Sequence, residues 1–243
     1  MIFANVRERV TETDRALALN LLAADDADRR RRYAALVTAE GPDRLLDEPE
    51  LFGRMRQVPL GTAPSAALYL YVGVRHYLRG VGIDDARVGD YLGALLLEFG
   101  ERDRAHRIAQ VDDAVYGYVT DVVAELAAVE GRRGFLLRAH LGNFSLWLAG
   151  VFPDHIAARR ARKGGPDLEY YDTLGARGFR LAAEHRLARE CGLEELFACI
   201  AEGFAPIRVA LNRLSDGCFF PAGGGPDRVL RQVSDGLRFG GDN

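Results

Sequence analysis

His140, Asn143 and Trp147 stand at i, i+3 and i+7 of the run Gly134 to Trp147, a spacing that puts the three side chains on one face of a helix. Arg138 and Gly142 share a neighbouring face. An imidazole titrates near neutral pH and serves as acid or base. A guanidinium presents a fork that matches a carboxylate or a phosphate, and an amide donates and accepts at once. The residues around them are Leu136, Leu137, Leu141, Phe144, Leu146 and Leu148. On so apolar a helix an unpaired buried polar group costs about 1–3 kcal/mol. The set therefore needs either an internal network that fixes helix register or a pocket that holds a ligand. Asp216 follows the apolar positions Ile207, Val209, Leu211 and Leu214 and is the expected carboxylate partner for Arg138 or His140. The candidate ligand site is thus Arg138, His140, Asn143, Trp147 and Asp216.

A second candidate is cationic. Arg159, Arg160, Arg162 and Lys163 form a short basic cluster between Asp154 and Asp167 and suit contact with an anion. The denser run Arg29 to Arg32 is preceded by Asp25, Asp26 and Asp28, acids before bases as on a solvated helix start.

The six residues His140-Leu141-Gly142-Asn143-Phe144-Ser145 resemble the His-x-Gly-Asn-aromatic-Glu motif of the bacterial lauroyl/myristoyl lipid A acyltransferases. That resemblance implies a histidine paired with an acid to activate an acceptor hydroxyl. Ser145 stands where the acid belongs, so the pair is broken, and the α/β alternation of that family does not surround the motif.

Other chemistries lack their residues. There is no Glu-x-x-His or His-x-x-x-His, so a protein-ligated metal is not expected. Cys191, Cys199 and Cys218 have no CxxC spacing and read as reduced thiols. No Walker A loop, no Gly-x-Gly-x-x-Gly after a strand and no Gly-x-Ser-x-Gly occurs, and no cofactor is expected.

The elements that must position these groups are helices. Apolar residues recur at 3.6-residue spacing and alternating runs are nearly missing. Val88, Leu92, Leu95, Leu96 and Phe99 form the clearest stripe, with Asp84 as its cap. Asp112 or Asp113 is expected to cap a helix that turns Val115, Val119, Val122, Leu126 and Val129 inward. A long apolar helix covers residues 135–152, a basic one follows from Asp154 to Arg162, and Asp167 opens the next. The expected fold is all-α, a single-domain array of about nine to twelve helices around the helix 135–152. Residues 1–221 make the domain, and residues 222–243 are a flexible or loosely docked Gly-rich tail with at most a weak helix from Arg228 to Val233.

The 243 residues carry a net charge of -3, without the basic excess through which nucleic-acid binders neutralise phosphate. Arg138, His140 and Asn143 interrupt the most apolar window, which argues against a membrane span. Lys163 is the only lysine among 32 cationic residues, a bias that reads as codon usage in a GC-rich genome, with a bacterial one expected. The composition reads as a cytoplasmic helical domain that works by binding, as a protein-interaction or self-associating module without its own catalysis. The alternative is a small-molecule enzyme or ligand-binding protein with a polar pocket on the helix 135–152.

Overall fold

The structure, a computed structural model, describes residues 1–57, 63–101, 104–109, 112–222 and 225–239. The loop residues Gly61 and Thr62 and the linker residues Gly223 and Gly224 lie outside them. The described residues form thirteen α-helices with short 3-10 turns, and they contain no strand. The helices divide into two compact units.

One unit comprises residues 2–79 and 84–97. It holds α1 (Glu12–Ala23), α2 (Ala27–Glu40), α3 (Leu51–Met55), α4 (Ala66–Arg79) and most of α5 (Ala86–Phe99). Local chemistry starts the helices. Thr11 and Asp14 form a reciprocal capping box on α1, and Asp26 accepts from the amides of Asp28 and Arg29 on α2. The stripe on α5 is buried as its spacing requires, from Val88 to Phe99. Its cap is Asp85, which accepts from the amides of Arg87 and Val88 at 2.7 and 3.2 Å. Asp84, expected in that role, pairs with Arg75 and Arg79 on α4. Buried Arg75 also bonds Asp47 at 2.9 Å, and the Tyr71 hydroxyl donates to the same carboxylate at 2.8 Å.

The other unit comprises Met1, residues 80–83 and residues 98–243. Its helices are α6 (Val119–Leu126), α7 (Gly131–Val151), α8 (Pro153–Lys163), α9 (Leu168–Ala183), α10 (Arg186–Glu190), α11 (Glu194–Glu202), α12 (Phe204–Leu214) and α13 (Pro226–Phe239). The apolar helix is α7, which begins four residues before the expected start and packs against α9, α12, α6 and α8. Glycines set its approach to α9. A Cβ on Gly178 would stand 2.7 Å from the Gly142 amide nitrogen and 2.9 Å from the Arg138 carbonyl oxygen. A Cβ on Gly142 would meet the Phe179 ring at 2.6 Å. α7 ends at Phe152, where Pro153 occupies the first turn of α8.

Two expectations on this unit differ from what is observed. α6 begins at Val119 with the Asp121 carboxylate accepting from the Tyr118 amide at 2.8 Å, and Val115 is exposed rather than inward. At the C-terminal end α13 runs from Pro226 to Phe239, well past Val233. It is tied down by charge: Arg228 reaches Asp154 at 2.6 Å, and Arg231 reaches Asp216 at 3.0 Å and Asp154 at 3.3 Å.

Candidate functional site

Three consecutive helices of the larger unit, together with His106 and the start of α6, converge on a cleft of about 700 Å³. α7 supplies Phe144, Trp147 and Leu148, which share a face at i, i+3 and i+4, and Phe152 follows at its end. α8 supplies His155, Ile156, Arg159, Arg162 and Lys163, again one face at helical spacing. Gly164, at φ +64°, ends α8 in the left-handed region that glycine enters without strain. The chain then returns through Pro166 so that α9 adds Tyr170 and Tyr171. His106 and the stretch from Gly117 to Thr120 close the remaining side.

The floor is aromatic. The Trp147 ring centroid lies 4.9 Å from Phe152, 5.8 Å from Phe99 and 6.2 Å from Phe144, at offset or edge geometries. His106 packs edge-on against Phe144 at 5.6 Å. Its Nδ1 lies 2.9 Å from the Tyr116 carbonyl oxygen, so in the neutral ring Nδ1–H donates and Nε2 is the acceptor. Tyr116 is itself buried, and burial together with its bond to Glu125 pushes its hydroxyl up to about 12.

The rim is cationic. The Arg159 guanidinium carbon lies 4.9 Å over the Tyr118 ring. Burial pushes the Tyr171 hydroxyl up, against the opposing pull of Arg159. The only hydrogen bond of the Arg162 guanidinium to another described residue is to the Ala158 carbonyl oxygen, at 3.2 Å. Among the described residues no carboxylate pairs with Arg159, Arg162 or Lys163, and no Asp or Glu lines the cleft. Arg160, the fourth member of the sequence cluster, points elsewhere and pairs with Asp167 at 3.2 Å.

The two candidate sets of the sequence are therefore partly merged. Trp147 of the first meets Arg159, Arg162 and Lys163 of the second in one cleft. His140 and Asn143 are buried behind that wall, and Arg138 is half-buried; none of the three lines it. The His140 ring stacks on Phe144 at 5.6 Å and sits 5.8 Å from Tyr116 and 6.0 Å from Phe99. Its Nε2 has no hydrogen-bond partner among the described residues. Burial, reinforced by Arg104, holds its pKa down to about 3, so it is a neutral core ring at physiological pH.

Asp216 does not meet Arg138 or His140. It lies in a π-turn, Ser215–Phe219, that follows α12, and both its oxygens accept from Arg231 at 3.0 and 3.1 Å. The least exposed of this unit's buried arginines is Arg208, which bonds Asp172 at 2.9 Å and Asn212 at 2.9 Å. Asn212 in turn donates to the Ala149 and Gly150 carbonyls, and Ser215 to the Val151 carbonyl, satisfying the C-terminal turn of α7.

His106, Tyr118, Phe152, His155, Tyr170 and Tyr171 were not among the sequence candidates. The aromatic density of residues 144–152 and the basic face of α8 were the available signals. Ser145, in the place of the acyltransferase acid, is fully buried, and no carboxylate among the described residues bonds the His140 Nε2 to make the pair. No described group of three or more His, Cys, Asp or Glu is placed to hold a metal ion. No described helix is long and apolar enough to cross a membrane. The chain matches no protein-family model, no curated protein and no solved structure.

Proposed function

We propose that this cleft binds a small organic anion, one with a flat or apolar body and a carboxylate, sulfonate or phosphate group at one end. The observation that carries the reading is the pairing of an aromatic floor with three rim cations that have no carboxylate partner among the described residues. Protein carboxylates normally take up such cations, as Asp167 takes Arg160. Left unpaired beside Trp147, Phe152 and Tyr171, they suit a ligand whose apolar part stacks and whose charge reaches the rim. A cleft of about 700 Å³ is within the range of small-molecule sites. The polar pocket on the helix 135–152 that the sequence suggested is thereby reassigned. Its Trp147 end faces the ligand, and its His140 end belongs to the packing behind it.

Trp147 is the only tryptophan of the chain, so its emission reports on this site alone. Titration with naphthalene sulfonate is expected to change that emission saturably at one equivalent, and added salt is expected to weaken it. Uncharged naphthalene methanol is expected to bind at least tenfold more weakly. Equal response to the two compounds, or undiminished binding by a protein carrying Arg159→Ala and Arg162→Ala, would overturn the reading.

A further inference from the structure

The C-terminal helix is amphipathic with its faces reversed. At about 100° per residue, Arg228, Arg231 and Asp235 fall within a wedge of about 60°, and that wedge faces the protein. Val229, Leu230, Val233 and Leu237 occupy the opposite side and are 56%, 67%, 56% and 85% exposed. A helix that docks by ion pairs and shows its apolar stripe to water has its hydrophobic face left for something else.

We infer that this stripe pairs with the same stripe of a second copy of the chain, the two α13 helices running antiparallel about Val233. Leu230, Val233 and Leu237 are spaced by three and then four residues, the seam spacing of two helices that pack along their length. Antiparallel pairing centred on Val233 sets Val229 over Leu237. It sets Leu230 over Gly236, where a Cβ would meet nothing within 4 Å and the bulk of the leucine has room. The flanking charges agree with this direction. Asp227 and Arg238 are both exposed and lie on the same flank of the stripe. In an antiparallel pair like flanks meet, so Asp227 of each copy comes beside Arg238 of the other. A lipid surface is the poorer occupant, because Asp227 and Arg238 are a balanced pair and interfacial helices surround their apolar face with cations. One short helix pair covers less than the ~800 Å² per partner of a standard stable interface. The dimer is accordingly weak, with a dissociation constant on the order of micromolar. This inference is independent of the ligand cleft.

The test is sedimentation equilibrium of the full chain from a few micromolar to several hundred. A concentration-dependent monomer–dimer equilibrium is expected, weakened at least tenfold by Val233→Asp. That side chain is exposed, so the thermal midpoint should not fall. Asp227→Arg and Arg238→Asp should each weaken the dimer several-fold, and the double exchange should restore it. A monomer at all concentrations would overturn the inference. So would a dimer indifferent to Val233→Asp, or a double exchange without rescue. Binding to phosphatidylglycerol vesicles by a chain that stays monomeric would overturn it in favour of a lipid surface.

Discussion

The Arg159 guanidinium sits over the ring of Tyr118, 4.9 Å from its centroid, with no carboxylate in reach among the described residues. An arginine held by an aromatic face keeps its hydrogen-bonding fork free for an incoming anion. Arg159→Ala is therefore expected to lower affinity for naphthalene sulfonate at least tenfold and to change unfolding free energy by no more than about 0.5 kcal/mol. Trp147 fluorescence titration and urea denaturation of the same protein measure the two effects.

His140 behaves in the opposite way. Its ring is buried, its Nε2 has no partner among the described residues, and its pKa lies near 3 where an unfolded histidine has about 6.5. Between those values the unfolded chain takes up a proton that the folded chain refuses, so this residue makes stability fall as pH falls from about 6.5 towards 3. Replacing His140 by Phe removes an unsatisfied polar atom and is expected to leave stability at pH 8 unchanged or higher. Between pH 6 and 4 the variant should lose stability less steeply than the parent, by up to about 1.4 kcal/mol per pH unit. Chemical denaturation across that range decides it.

Arg208 and Asp172 are the pair to break if the interior of the larger unit is to be tested. Arg208 is 5% exposed, and Asp172, although bonded to it, is pushed up by burial. Asp172→Ala strands the guanidinium and is expected to cost about 3 kcal/mol, the low end for such pairs, because Asp235 remains 3.7 Å away. Arg138→Ala, on a half-buried arginine, should cost clearly less. Denaturant midpoints for the two variants give the comparison.

Gly178→Ala is expected to destabilise by about 2–3 kcal/mol, since its methyl would press on the backbone of α7, which has no rotamer to yield with. Gly53→Ala supplies the contrast. It lies in α3 with nothing within 4 Å, and alanine there should gain about 0.5–1 kcal/mol. Equal costs at both positions in thermal unfolding would contradict the close packing of α7 on α9.

What could be read from the chain was whatever depends on neighbours in sequence. The stripe on α5, the extent of α7 and the basic face of α8 are repeats of three and four residues, and helices obey them wherever they lie. The cleft was only half legible for the same reason. Phe144, Trp147 and Arg159 could be placed on their own helices, but nothing local says that α9 returns Tyr170 and Tyr171 to them, or that His106 and Tyr118 complete the wall. Asp216 was misplaced because the α-helical register of α12 gives way to a π-turn just before it, which re-aims every side chain that follows. Asp84 and Asp85 could not be told apart because adjacent aspartates offer the same cap chemistry.

The glycines between α7 and α9 reach beyond this one sequence. Side-chain contacts can be exchanged for others of similar volume, so most of the interior could drift until no likeness to this chain is left. The contact of Gly178 with Gly142 cannot drift, because it joins main chain to main chain at 2.7 Å from the missing Cβ. Any protein built on this helix pairing must keep a glycine at the crossing and hold the facing position small, whatever else it changes. Gly178 on one helix against Gly142 on another is thus a fingerprint of the architecture rather than of the residues, and the place where distant kinship would still be visible.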